Sequence, residues 1–188
     1  QGGEPTLRGL EFYRELVRLQ EPYRKRGLTI CNTIQTNGML LDGEWAQFLA
    51  RYQFLVGLSL DGTEDTNDAL RVDANGRGSY ARIRRAAACL DQAGVSYNIV
   101  TVISKDIAKS VKRIYNDYSI NGWNYLQFIP CLDPYGEIPG ESSYSLTPAA
   151  YGDFLCGLFD CWYEDVMQGK IVYIRYFENI LGMLLGFQ

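Results

Sequence analysis

The chain has 188 residues, 47% of them hydrophobic, with 18 basic and 22 acidic side chains and a net charge of -4. That is enough sequence for one domain with a buried core, and the acidic balance leaves no electrostatic footprint for nucleic acid or an anionic lipid surface. Histidine is absent, which excludes His-based nucleophile triads and most catalytic zinc sites, and no apolar run reaches the roughly 20 residues that cross a bilayer.

From Leu7 to Lys25 the spacing predicts a helix, with Phe12, Leu16 and Leu19 recurring at helical intervals, Tyr13 and Val17 beside them, and Gly27 as its stop. Leu28 to Thr36, rich in Thr and Ile, predicts a strand that ends at the turn dipeptide Asn37-Gly38. Asp42 opens a second helix through Trp45, Phe48 and Leu49 to Arg51. Phe54 to Leu60 is a continuous apolar run, the pattern of a parallel strand covered on both faces. Between Asp61 and Gly78 the residues are mostly polar and predict a long connection on one rim of the sheet.

Ser79 is placed to cap the next helix, whose Tyr80, Ile83, Ala87 and Leu90 share a face before Gly94. Ser96 to Ser104 predicts a third strand, and Ile107, Val111, Ile114 and Tyr118 a helical stripe closed at Gly122. Trp123 to Cys131 predicts a fourth strand, and Asp133 to Ser145 an irregular segment. Thr147-Pro148 reads as an N-cap with proline at the first helical position, opening an aromatic helix to Met167. A shorter helix is expected from Tyr176 to Leu185.

Strand-then-helix units repeating every 25–40 residues or so require a parallel sheet with helices outside it, because parallel strands need crossover connections. The expected fold is α/β with about four parallel strands; periodicity does not decide between a closed barrel and an open sheet. In either, ligands gather at the carboxyl ends of the strands, where Gly2-Gly3-Glu4-Pro5, Asn37, Ser59 and Leu132 all fall.

Several residues on that rim have chemistry to offer. Gly2-Gly3-Glu4-Pro5 lets the backbone approach a ligand while the Glu4 side chain or neighbouring carbonyls receive an ammonium group, or else it is an ordinary turn into a helix. Ser59 interrupts an apolar strand near its upper end, as a ligand contact or as a buried hydroxyl bonded to backbone. Arg71 stands in the polar connection, either as a fork for a carboxylate or as a solvated charge. Leu132, between Cys131 and Asp133, presents backbone and apolar groups suited to a planar ring, or else marks a simple strand-to-loop transition. Phe154, Leu158 and Trp162 form a packing face rather than a stacking platform. Arg175 either reaches inward to a substrate or pairs at a helix end. Cys31, Cys89, Cys131, Cys156 and Cys161 are odd in number and contain no CxxC pair, so they signal neither a disulfide framework nor a metal site, and are expected to be buried free thiols in a reducing cytoplasm.

Taken in order, QGGEPTL, QTNGMLLDGEW, FLVGLSLDG, LQFIPCLDP and FDCWYEDVMQGKIVYIRYFENIL resemble the corresponding stretches of the anaerobic sulfatase-maturating enzymes of the radical S-adenosylmethionine (SAM) superfamily. The resemblance spans essentially the whole chain. It implies a partial, TIM-like (β/α)6 barrel in which a 4Fe-4S cluster, on a CxxxCxxC loop after the first strand, cleaves SAM to a 5′-deoxyadenosyl radical. That radical abstracts hydrogen from a cysteine or serine of an unfolded sulfatase segment, which ends as Cα-formylglycine. A C-terminal SPASM region carries auxiliary clusters and an aspartate base, and ferredoxin or flavodoxin is the implied electron donor. Carried over by residue, Gly2, Gly3, Glu4 and Pro5 would hold the methionyl amino group, Ser59 and Arg71 the carboxylate and ribose end, and Leu132 the adenine. Gln1 would lie near the peptide, with Gln35 and Asn37 as further candidates for the same surface; the reading of Arg175 as a substrate contact comes from the residues alone.

Residues 1–188 are thus expected to be one partial radical SAM core lacking the first strands, the cluster-binding segment and the SPASM region, with no catalytic residue and no metal ligand of its own, and inactive by itself. The loop before Arg71 departs from the family pattern, with Thr66-Asn67-Asp68 where a histidine often stands. Two other readings fit the same letters: a SPASM-type maturase that modifies peptides differently, and a non-catalytic binding domain on a barrel remnant.

Overall fold

The computed structural model describes residues 3–136 and 138–187. Its elements in chain order are a 3-10 helix Pro5–Arg8, α1 Leu10–Arg24, β1 Thr33–Thr36, α2 Gly43–Arg51, β2 Leu55–Ser59, α3 Glu64–Leu70 and α4 Tyr80–Ala93. There follow β3 Tyr97–Ile103, α5 Lys105–Ala108, α6 Val111–Ile120, β4 Tyr125–Pro130, α7 Pro148–Met167, β5 Tyr173–Ile174 and α8 Arg175–Leu184. They divide into two compact units, Gln1–Ser59 with Ala81–Asn98, and Leu60–Tyr80 with Ile99–Gln188.

In the first unit β1 runs parallel to β2, in register from Thr33–Leu55 to Thr36–Leu58. Alternation along β2 sends Val56 and Leu58, both fully buried, to one face and Gly57 and Ser59 to the other. Asp42 starts α2 by accepting the Trp45 N–H at 2.9 Å, the side-chain cap that its position predicts. The core gathers Trp45, Phe48 and Phe54 with Ile83, Ala86 and Leu90 of α4. Against Trp45 packs Tyr13 of α1, ring centroids 5.3 Å apart and edge to face. Tyr13 and Val17 form the buried line of α1, whereas Phe12 and Leu19, expected inside, are 51% and 56% exposed. Two stripes of comparable hydrophobicity lie on this helix, and the one carrying a hydroxyl that can reach Pro5 O is the one used.

In the second unit β3 and β4 pair in parallel from Ile99–Leu126 to Ile103–Pro130, and β4 pairs with β5 at Tyr125–Tyr173 and Leu126–Ile174. The fifth strand was not expected; Tyr173–Ile174 is two residues long, too short for any period-2 signal. Ile103, Ile107, Ile114, Tyr118, Phe154 and Leu158 are at most 1% exposed and form the centre of this core. Trp123 packs edge-on to Tyr118 at 5.6 Å, and Trp162 donates its indole N–H to Val172 O at 2.9 Å. The polar connection after β2 holds α3, which was read as loop: Thr63 precedes it, Glu64 and Asp65 occupy its first turn, and its buried residue is the amide Asn67, so no apolar stripe announces it. The stripe from Ile107 to Tyr118 is broken into α5 and α6 at Lys109-Ser110. Among the described residues, no helix is long and apolar enough to cross a membrane.

Candidate functional site

Glu4 is the anchor of the first unit's rim. Its Oε1 accepts from Thr6 N at 2.9 Å, Thr6 Oγ1 at 2.5 Å and Thr36 Oγ1 at 2.7 Å, and its Oε2 accepts from Asn37 N at 2.8 Å. The carboxylate thus caps the 3-10 helix and ties its loop to the carboxyl end of β1. Burial would push this carboxyl up, but the donors from Asn37, Thr6 and Thr36 outweigh it and hold the group below the ordinary glutamate range. With Oε1 accepting three times and Oε2 once, the carboxylate shapes the loop. Gly3 has φ 61°, a left-handed conformation suited to glycine. Gln1 and Gly2 lie outside the described residues.

The pH consequence follows by linkage. Because the folded-state pKa of Glu4 is depressed, the stability it contributes is present above the unfolded value and is lost as pH falls through the folded value. The Glu4→Gln variant is expected to be less stable than the parent at neutral pH, with the gap closing in acid, as measured by denaturant unfolding at both pH values. An unchanged gap would remove the carboxylate's charge from the account.

Also at this end, Asn37 turns its Oδ1 back to the Met39 N–H at 3.0 Å. Ser59 lies one residue beyond the last registered pair, Thr36–Leu58. It is buried, 7% exposed, and its hydroxyl has no hydrogen-bond partner among the described residues. Gln35, on the same strand face as Gly57, is half-buried and likewise without a hydrogen-bond partner among the described residues. The first unit thus brings Gly3, Glu4, Pro5, Gln35, Asn37 and Ser59 to the carboxyl ends of β1 and β2.

In the second unit the controlling residue is Asp61, which the sequence offers only as the first residue of the polar connection after β2. Asp61 is 5% exposed; its Oδ2 accepts from Arg71 Nε at 2.6 Å and its Oδ1 from the Val102 N–H at 2.9 Å. The turn around it is pinned by Tyr118, whose hydroxyl accepts the Gly62 N–H at 2.9 Å, donates to Leu60 O at 3.1 Å and lies 2.7 Å from Thr101 Oγ1. Burial drives that phenol well above the ordinary tyrosine range, although the bonds to Thr101 and Gly62 act the other way. Arg71 closes α3, and its Nη groups have no partner among the described residues.

Leu132, 81% exposed, follows the end of β4, after Cys131 donates its N–H to Ile103 O at 2.9 Å. Its loop is closed by Asp133, which accepts from Ser145 Oγ at 2.5 Å and Gly140 N at 2.8 Å. Arg175, at the start of α8, reaches Gln127 of β4 with an Nη1–Oε1 distance of 3.3 Å. It therefore points to the strand and not to a helix end. The cysteines differ from expectation: Cys31 and Cys156 are exposed, the other three are partly buried, and no two are bonded. Cys31 and Cys131 lie outside the helices and strands, and Cys156 and Cys161 stand off the buried line Phe154, Leu158 and Trp162 of α7. Among the described residues no group of three or more His, Cys, Asp or Glu side chains converges as a metal site, so these residues do not fit an iron-sulfur cluster.

Comparison with known proteins gives concordant results. The family model of the Radical SAM superfamily matches residues 1–117. A cysteine-type anaerobic sulfatase-maturating enzyme of Clostridium novyi (strain NT) is 43% identical over 186 residues, 99% of this chain and 50% of that protein. A serine-type anaerobic sulfatase-maturating enzyme of Klebsiella aerogenes is 33% identical over 175 residues, 93% of this chain and 43% of that protein. Among solved structures, native anSMEcpe with bound AdoMet and Cp18Cys peptide superposes with a TM-score of 0.96 at 43% identity, covering 98% of this chain and 51% of that one. The chain spans about half the length of the curated relatives it matches.

Proposed function

The chain belongs to the radical SAM superfamily, and from that premise we propose that it is the SAM-holding core of an enzyme that oxidises a cysteine or serine of a sulfatase to Cα-formylglycine. The observation that carries this reading is the 43% identity to cysteine-type sulfatase-maturating enzymes across 99% of the chain. The lower identity of 33% to serine-type relatives favours cysteine as the target.

Each unit by itself offers a donor of the kind a carboxylate needs: in the first the Ser59 hydroxyl and in the second the Arg71 Nη groups, neither with a hydrogen-bond partner among the described residues. Carbonyls of the Gly2-Gly3-Glu4-Pro5 loop accept the methionyl ammonium, and Glu4 keeps that loop in shape through Thr36 and Asn37. Ser59 and Arg71 take the carboxylate and ribose end, and Leu132 covers the adenine. When bound and reductively cleaved, SAM supplies hydrogen-atom abstraction; the protein's part is to hold it in place and keep water out. Gln1, Gln35, Asn37 and Arg175 are the residues that face the sulfatase peptide. Residues 1–188 are one partial core, and the cluster ligands, the auxiliary clusters and the base lie in other stretches of a longer cytoplasmic protein served by a ferredoxin or flavodoxin.

The intact protein, reconstituted anaerobically with iron and sulfide, is expected to convert SAM to 5′-deoxyadenosine and to place an aldehyde on a sulfatase peptide bearing the target cysteine. Both products are read by mass spectrometry. A protein shown spectroscopically to carry its cluster but forming neither product overturns the assignment, and 5′-deoxyadenosine without the aldehyde overturns the substrate. Residues 1–188 alone are expected to form neither.

A further inference from the structure

The geometry points to Asp61 as a positioning residue that sets the Arg71 guanidinium for a ligand carboxylate, an inference that rests on the reading of Arg71 as the SAM carboxylate contact. Asp61 follows β2, and its carboxylate is held from two directions, by the β3 backbone at Val102 N and by Arg71 Nε. Its own N–H donates to Asn67 Oδ1 at 3.1 Å, and Asn67, fully buried, donates in turn to Ser79 Oγ at 3.0 Å and Asp68 Oδ1 at 2.9 Å. Asp68 Oδ1 also accepts the Tyr80 N–H at 2.8 Å. The middle of α3 and its C-terminal Arg71 are therefore tied to Asp61, and Arg71 leaves the last turn with little freedom.

The way Arg71 is bound matters more than the fact that it is bound. A guanidinium offers five N–H donors in a planar fork. Asp61 takes the Nε, and the two Nη groups remain without a partner among the described residues while the side chain is only 27% exposed. A pair serving stability alone would gain by engaging both edges of the fork. Here one edge is fixed and the other is held open, the arrangement that lowers the ordering cost of capturing a second carboxylate. Lysine has no Nε and would not be steered in this way.

The test is SAM affinity, measured by titration calorimetry on the intact protein, beside that of decarboxylated SAM, which lacks the group Arg71 would bind. Asp61→Asn keeps an oxygen for Val102 but loses the charge facing Nε. It is expected to weaken SAM by about tenfold, the scale of one charge-assisted hydrogen bond, and to leave decarboxylated SAM unchanged. Arg71→Lys is expected to behave alike, and the double variant to bind no more weakly than either single one. Equal weakening of both ligands by Asp61→Asn, or an unchanged preference for SAM, overturns the proposal. If Arg71→Lys itself leaves the preference intact, the reading of Arg71 fails instead, and an unmodified protein that binds neither ligand sinks the proposed function. Should Asp61→Asn not fold, the Arg71 Nε–H of the unmodified protein still decides: a slowly exchanging proton signal with and without SAM is expected, and rapid exchange with solvent overturns the steering role.

Discussion

Phe154→Ala is expected to lower the free energy of unfolding by about 3–5 kcal/mol, the usual cost of emptying a large aromatic position in a core. Phe154 is 1% exposed, and its ring meets Phe128 of β4 edge-on at 5.5 Å and stacks on Tyr151 at 6.5 Å. It therefore joins α7 to that strand. The loss has two parts, the removed transfer energy and the void that a helix of 20 residues, held at Leu158 and Trp162 on the same face, cannot close by shifting. Denaturant unfolding gives the number. A loss below about 1 kcal/mol would mean that this face repacks freely.

Gly62→Ala is expected to cost about 2–5 kcal/mol, from two separate causes. Its φ of 85° is left-handed, which strains an L-residue by about 1–2 kcal/mol. A Cβ there would also stand 2.5 Å from Thr66 Oγ1 and 3.0 Å from Ile114 Cδ1, and overpacking of this kind costs about 1–3 kcal/mol. Thr66 cannot easily yield, since its hydroxyl already donates to Asp61 O and Thr63 O. Relief would move the turn, and with it the carboxylate that faces Arg71. The variant should accordingly lose SAM affinity along with stability; wild-type stability in the same denaturant series would contradict the geometry.

The sequence carried the strand-helix alternation well because parallel strands covered on both faces, such as β3 with Ile99, Val100, Thr101 and Ile103 all buried, leave long apolar runs between turn residues. What it hid has common physical causes. The α3 helix buries an amide instead of a stripe, and β5 is too short to show a period. On α1, Phe12-Leu16-Leu19 and Tyr13-Val17 are both admissible faces, and only the partners Trp45 and Pro5 choose between them. The candidate residues Glu4 and Ser59 were visible because glycine, proline and a lone hydroxyl interrupt apolar patterns. Asp61, Thr36, Thr101 and Tyr118 were not, since each looked like a terminator, a strand former or a packing residue. Their roles depend on partners distant in sequence, as in the bond between Tyr118 and Gly62. An aspartate directly after an apolar parallel strand was the one signal that could have drawn attention to Asp61.

The tryptophans of the two cores have a practical consequence. Trp45 is the one tryptophan of the first unit, while Trp123 and Trp162 belong to the second, and all three are buried. Their emission reports on different halves of the molecule. With Trp45 replaced by Phe, the remaining tryptophan emission, excited selectively at the red edge beyond tyrosine absorption, follows the second unit alone, so a titration monitored before and after that change separates the melting of the loop-bearing rim at Glu4 from that of the turn at Asp61.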